Sequence, residues 1–133
     1  ADTNFDGTID TDLSNNDVAR APEWTWNVDF LFDHDLAGGV MDYVLNVNYV
    51  DEAVYAYTAV PDTPDGVTDD RTLVNAAVTF RPGSGNWWVR AFGKNLTDEE
   101  YRVGELPVAN LWVMSFYGQP MTFGVEAGMD FDW

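Results

Sequence analysis

The chain has no cysteine and a single histidine, His34. No disulfide framework and no thiolate chemistry is therefore open to it, and His34 has no second histidine or cysteine with which to form a metal set. Basic residues are scarce too: six Lys and Arg stand against 23 Asp and Glu, a formal net charge of −17. That argues against nucleic acid as a partner, because phosphates need Lys and Arg to neutralise them. No apolar stretch approaches the ~20 residues of a transmembrane helix, and no window of useful length shows a helical period. Catalysis has no foothold. A Ser/His/Asp arrangement would have to use His34, which is expected in a short, solvated turn between Asp33 and Asp35. Glu99 and Glu100 read as loop solvation, and Gly83-Ser84-Gly85 lacks the lysine and helix start of a phosphate cradle. The chain is read as a non-enzyme.

What the sequence does have is alternation. From Met121 to Trp133 one side carries Met121, Phe123, Val125, Ala127, Met129, Phe131 and Trp133, and the other Thr122, Gly124, Glu126, Gly128, Asp130 and Asp132. Side chains alternate sides along a strand, so this run has one greasy and one polar face. Four earlier runs repeat the pattern. Their apolar sides are Trp24, Trp26, Val28, Phe30 and Phe32; Met41, Tyr43, Leu45, Val47 and Tyr49; Thr72, Val74, Ala76, Val78 and Phe80; and Trp87, Val89, Ala91 and Gly93. Leu73, Trp88 and Phe92 are misfits on the polar side. The expected fold is all-β, five long antiparallel strands in up-and-down order.

The connections alternate in length. Residues 1–22, 51–70 and 95–119 are long, whereas 34–39 and 81–86 are short, so every long connection falls at one end of the sheet. Outer-membrane barrels sort their loops this way, with short periplasmic turns and long extracellular loops. On that reading Trp24, Trp26, Tyr49 and Phe123 lie near the outer interface, and Phe32, Tyr43, Phe80, Trp87, Phe131 and Trp133 near the periplasmic one. Val28, Leu45, Val47, Ala76, Val78, Val89, Ala91, Val125 and Ala127 form an aliphatic band between them, as aromatic girdles require. Phe30 fits this arrangement imperfectly. The charges Asp29, Asp33, Asp42, Arg90, Lys94, Glu126 and Asp130 all fall on the opposite face. A charge turned to lipid costs ~2–4 kcal/mol near the midplane. A soluble β-sandwich would also keep charge off its apolar face, so loop sorting and aromatic placement decide the reading. Five strands cannot close, since the smallest such barrels have about eight. An open sheet in lipid leaves backbone groups unsatisfied at its edges. The chain is therefore expected to be a piece of a larger barrel, or one of several chains that complete one.

Three segments, in order, carry a resemblance. Trp88-Val89-Arg90-Ala91-Phe92-Gly93-Lys94-Asn95-Leu96-Thr97-Asp98-Glu99-Glu100-Tyr101 resembles the near-terminal signature of TonB-dependent outer-membrane receptors. Tyr117-Gly118-Gln119-Pro120-Met121-Thr122-Phe123-Gly124-Val125 resembles the same near-terminal signature and is followed by a terminal strand rich in aromatics, and Ala21-Pro22-Glu23-Trp24-Thr25 resembles the start of an earlier strand in the same barrels. The similarity spans roughly residues 20–133; Met121 stands where the family usually has arginine. The resemblance implies residues 1–23 as an extracellular loop and 24–133 as the C-terminal barrel segment, with plug and most strands lying elsewhere. It implies a bacterial outer-membrane location and a share in active uptake of a scarce ligand such as an iron chelate, cobalamin or oligosaccharide. The implied partners are outer-membrane lipid and lipopolysaccharide, the remainder of the barrel and its plug, the energy-coupling protein TonB through that plug, and the barrel-assembly machinery that reads the terminal strand.

Other candidate sites lie in the long connections. Asp2, Asn4 and Asp6, with Gly7 sixth in the run from Asp2, resemble the first part of a calcium loop. Leu13 stands where the twelfth position needs a carboxylate, and a polar loop with a turn at Asp6-Gly7 is the plainer reading. Tyr55, Tyr57, Trp112, Phe116 and Tyr117 are candidates to stack on a ligand, or extend the strands above the membrane. The acidic loops read either as attraction for cationic ligands and divalent-bridged lipopolysaccharide or as ordinary solvated surface. Asn95-Leu96-Thr97 matches a glycosylation sequon by coincidence; Asn95 and Asp98 are expected to shape a strand-to-loop bend. Two rival readings remain: a soluble calcium-binding β-sandwich used for adhesion, and a small oligomeric outer-membrane protein.

Overall fold

The computed structural model describes Gly7 and residues 18–36, 38–56, 66–108 and 111–131, the side chains of Tyr55, Ala56 and Pro107 excepted. Nine strands are described: β1 (Thr25–Leu36), β2 (Gly39–Val50), β3 (Ala53–Ala56), β4 (Gly66–Thr68), β5 (Arg71–Pro82), β6 (Trp87–Lys94), β7 (Arg102–Val108), β8 (Trp112–Tyr117) and β9 (Thr122–Met129). No helix occurs among the described residues. The five long runs of alternation form one antiparallel sheet in the order β1-β2-β5-β6-β9, and the two remaining pairs, β3-β4 and β7-β8, form separate two-stranded sheets.

The register brings the five apolar sides onto one face. Phe30 pairs with Leu45, Leu45 with Ala76, Ala76 with Gly93 and Gly93 with Phe123. The next row is Phe32, Tyr43, Val78, Ala91 and Val125. Because the side-chain period is two, a slip of one residue at any pairing would throw a whole apolar side to the opposite face. The opposite face carries rows such as Asp33, Asp42, Thr79, Arg90 and Glu126.

Three expectations are corrected. The first turn is shorter than residues 34–39, because Leu36 pairs with Gly39 and Gly38 takes a left-handed φ of 83°. His34 is therefore a strand residue on the apolar face. It is stacked on Tyr43 with centroids 5.6 Å apart and 10° between planes, and it also meets Phe32. Second, the long connections 51–70 and 95–119 are not plain loops, since each contains a hairpin. Third, Asp130 and Phe131 fall outside the last strand, which spans Thr122–Met129; Asp132 and Trp133 lie outside the described residues.

Both hairpins rise from the end of the sheet opposite the tight turns, and an ion pair ties them together. Arg102 donates from Nη2 to Asp69 Oδ1 at 2.5 Å and from Nη1 to Glu105 Oε1 at 2.8 Å, and Ser115 Oγ bonds Glu105 Oε1 at 3.2 Å. Asp69 precedes β5 and Arg102 opens β7, so the arginine joins the two extensions. Its hydrogen bonds hold the Asp69 carboxyl below the usual carboxylate range, and both acids hold the guanidinium above its ordinary value.

Candidate functional site

Little of the molecule is a conventional core. Tyr101, 9% exposed, is the one buried hydrophobic residue among those described, and no large side chain is fully enclosed. No second sheet packs on the five-stranded one among the described residues. The apolar face is consequently bare: Phe123 is 80% and Val125 74% exposed, and Trp24, Trp26, Val28, Phe30, Phe32, Met129 and Phe131 are exposed with them. Ala127, also exposed, continues the same face of β9. Soluble monomers rarely leave a continuous apolar surface of this kind uncovered.

The register adds a feature that composition could not. Across the sheet the aromatic lines run obliquely. At the tight-turn end Phe32 pairs with Tyr43, and Phe80 pairs with Met41, two residues nearer the turns. Trp87 lies two beyond Val89, the partner of Phe80, and Phe131 two beyond Met129, the partner of Trp87. Up to Trp87 the line drifts four residues, about 13 Å, along the strands over about 14 Å across three strand spacings, an angle of about 45°. At the other end Trp26 stacks on Tyr49 at 5.6 Å, while Phe123 shares a row with Phe30, four residues nearer the turns than Trp26. That line drifts in the same sense by about 13 Å over about 19 Å across four strand spacings, about 35°.

The polar face holds a ladder of amides. Asn46 Nδ2 donates to Asp29 Oδ1 at 2.7 Å and to Asn27 Oδ1 at 2.8 Å, and Asn75 Nδ2 donates to Asn46 Oδ1 at 3.0 Å. The Asn95 backbone N–H then donates to Asn75 Oδ1 at 3.0 Å. The misfits Trp88 and Phe92 find their explanation here. Trp88 pairs with Gly128 and Phe92 with Gly124. A Cβ built on Gly128 would lie 2.5–2.6 Å from three bonded ring atoms of Trp88, and one on Gly124 would lie 2.8–3.5 Å from three atoms of Phe92. Near-equal distances to bonded ring atoms mean that each ring lies flat over its glycine.

At the hairpin end the described structure bears out the bend at Asn95 and Asp98. Both take positive φ, 50° and 51°. Asn95 is 4% exposed. Its Nδ2 donates to the carbonyls of Glu99 at 2.9 Å and Gln119 at 3.1 Å, and its Oδ1 accepts from the Glu99 N–H at 3.0 Å. Asp98 Oδ1 accepts from the Met121 N–H at 3.1 Å, and the Glu99 carboxylate from the Thr72 N–H at 3.0 Å. Tyr101 lies against Gly118, where a side chain would collide with its ring, and the Arg71 guanidinium sits 5.1 Å from the Tyr101 ring centroid. The Asn95–Tyr101 and Gly118–Met121 segments thus form one bonded corner.

The loop candidates are separated. Trp112 and Phe116 share one side of the β7–β8 hairpin with Met114 and Leu106, exposed, and Tyr117 points to the other side. Tyr55 belongs to β3, but its side chain is not described, and Tyr57 lies outside the described residues. So do Asp2, Asn4 and Asp6; Gly7 takes a positive φ of 89°. Among the described residues no group of three or more His, Cys, Asp or Glu is placed to hold a metal ion. Sequence reasoning missed Trp88 and Phe92 as a pair; the glycines at 124 and 128 were the signal. A scan against family models, a search of curated proteins and a search of solved structures each found no match.

Proposed function

We propose that this chain is a segment of a transmembrane β-barrel of the outer-membrane kind, the C-terminal part of a TonB-dependent receptor that takes up a scarce ligand. The observation that carries the membrane reading is the obliquity of the two aromatic lines. Strands of such barrels tilt by ~35–45° from the membrane normal. A girdle at constant depth must therefore cross the hydrogen-bonding direction at that same angle. Two lines at about 35° and 45°, drifting in one sense and bounding an aliphatic band, meet that demand. From Phe123 to Met129, the last apolar-face residue of β9, is about 20 Å of strand. A sandwich core has no reason to order its aromatics obliquely, and the bare apolar face lacks the second sheet a sandwich needs.

The receptor assignment rests on the motif residues and their local roles. Gly93, Asn95, Asp98, Tyr101 and Gly118 are the residues the corner uses, in the order in which the resemblance has them. Among the described residues no strand lies beyond β1 or β9, which suits a segment whose barrel continues beyond it. Quenching by lipids brominated along their acyl chains tests the reading. Tryptophan fluorescence of the completed barrel that carries this segment should fall in such vesicles, and fall less once Trp26 and Trp87 are replaced by Phe, because those two lie at the borders of the lipid band. Fluorescence equal to that in unbrominated vesicles refutes the lipid-facing assignment.

A further inference from the structure

β8 is the outer strand of its hairpin. It pairs with β7, and β7 in turn lies against β4. Among the described residues no strand lies beyond β8. An edge strand turns every second N–H and C=O away from its partner, so β8 presents a row of unpaired donors and acceptors. Proteins guard such rows with charge, proline or a bulge. Here the guards sit on the inner strand. Pro107 belongs to β7, and the step from Arg102↔Tyr117 to Gly104↔Phe116 leaves Val103 as an extra residue, also in β7. β8 is unbroken and has no proline, and no charged residue occurs between Glu105 and Glu126 in a chain of net charge −17. Both of its sides are open, with Trp112, Met114 and Phe116 exposed on one and Val113 and Tyr117 on the other. The edge is also held in place. Ser115 Oγ donates to Glu105 Oε1 at 3.2 Å, Arg102 ties Glu105 to Asp69, and the Gly118 N–H donates to the Tyr101 carbonyl at 2.9 Å. A strand fixed in this way loses little freedom when another pairs with it.

We propose that β8 is a strand-addition site for an extended segment of another protein, uncharged where it pairs and basic at the end that meets Tyr117. Only an extended chain repeats donor and acceptor at the spacing of the row, whereas a lipid chain leaves the row unpaired. Water satisfies an edge too, but water does not account for five exposed apolar or aromatic side chains on an uncharged strand of an acidic chain. Those side chains offer contacts above and below an incoming strand, which is how such sites gain specificity. The basic end follows from the surroundings. Asp70, Asp98 and Glu100 are exposed where the hairpin meets the corner, and they attract Lys or Arg on a strand that runs past Tyr117. A second copy of this chain would bring a further charge of −17, which opposes the contact. The inference uses the hairpin alone and does not rest on what covers the five-stranded sheet.

The test selects a random decapeptide library, displayed on messenger RNA, against the full-length protein that carries this chain in detergent micelles. Enriched peptides should alternate uncharged aromatic or β-branched residues and carry Lys or Arg at one end. Methylating alternate backbone nitrogens of a selected peptide should weaken it roughly tenfold or more in one frame and leave it unaffected in the other, because only one set of its N–H groups faces β8. That comparison requires no variant of the protein. Met114→Lys places on β8 the charge that guards other edges, and should weaken the peptide to a similar degree. No enrichment overturns the proposal, as does a selected peptide indifferent to methylation in both frames or to Met114→Lys in the folded variant. Dimers that Met114→Lys dissociates overturn it in favour of a second copy, and quenching of Trp112 by brominated lipid overturns it in favour of the bilayer. Quenching at Trp26 and Trp87 bears only on the apolar face of the sheet, so either reading can fall without the other.

Discussion

Asn95 is the residue whose replacement is expected to test the corner most sharply. Its side chain satisfies three backbone groups, the carbonyls of Glu99 and Gln119 and the N–H of Glu99, from a site 4% exposed. Asn95→Ala strands all three. An unsatisfied buried group costs ~1–3 kcal/mol, and the half-buried surroundings let water reach some of them, so about 3 kcal/mol is expected from this source. Alanine's Cβ crowds the following carbonyl at a φ of 50° as asparagine's already does, so the backbone adds little to the change. The total is therefore about 3 kcal/mol. Asn95→Gly loses the same bonds but also removes the crowding Cβ, and should recover about 1 kcal/mol. Asn95→Asp keeps the acceptor yet turns a carboxylate oxygen toward two carbonyls, and should be no better than alanine at neutral pH. Urea titration in detergent micelles, followed by tryptophan fluorescence, gives the midpoints, and an unchanged slope allows them to be compared. An aspartate variant within 1 kcal/mol of the parent, or a glycine variant no better than alanine, would refute the account.

Two further outcomes follow from the same geometry. The Asp69 carboxyl is held below its unfolded value by Arg102, so its contribution is present above the ordinary carboxylate pKa of ~3.9 and is lost as pH falls through the lower folded value. The pair is about one-third exposed, which limits it to about 1 kcal/mol. The protection factors of the β7 and β8 amides, taken against the intrinsic exchange rates at the same pH, should therefore fall below about pH 4. Asp69→Asn should show the lowered protection already at neutral pH, and a parent whose protection factors are equal at both pH values contradicts the latch. In Gly128→Val the new Cβ would fall 2.5 Å from the Trp88 ring, so the indole must leave its place. A loss of about 1–3 kcal/mol is expected, with a changed near-ultraviolet circular dichroism spectrum; an unaltered spectrum shows that the ring does not lie on that glycine.

How much of this was legible in the sequence depends on whether a feature is local. The five alternating runs were, because a period of two with Val, Phe, Trp and Tyr on one side has few other solutions. The ends of β1 were not. Asp33-His34-Asp35 reads as a polar turn, yet on a strand both aspartates fall on the polar face and the imidazole falls among Tyr43 and Phe32. The β7–β8 hairpin was missed because Gly104 and Pro107 interrupt β7, and only Trp112, Met114 and Phe116 keep the period. Trp88 and Phe92 looked like defects for a different reason. Their fitness depends on which residues stand opposite, and cross-strand pairing is not a property of either strand alone. Once Gly124 and Gly128 are opposite, bulk on β6 and its absence on β9 become one arrangement. The obliquity of the aromatic lines was hidden in the same way, since it exists only in the register.

Among the described residues the apolar face is bare and no strand lies beyond β1 or β9. A second sheet would cover the face in water, where solvent satisfies the edge groups, so the edges bear only on the proposed membrane setting. Lipid alone would cover the face and leave the same edges unsatisfied, at several kcal/mol for each group in hydrocarbon. Further strands satisfy the edges, and lipid then covers the continued face. The strand count decides between two ways of adding them. Five strands alternate in direction, so β1 and β9 run the same way. A ring of identical copies about one axis would place β9 of one copy beside β1 of the next, giving a parallel pair at every junction. Outer-membrane barrels are antiparallel throughout and, in single bacterial chains, even in number. On the barrel reading proposed above, the strands that complete this sheet would be odd in number. A barrel of roughly 22 strands would leave about seventeen, whereas an oligomer of five-stranded chains would break the rule at each seam.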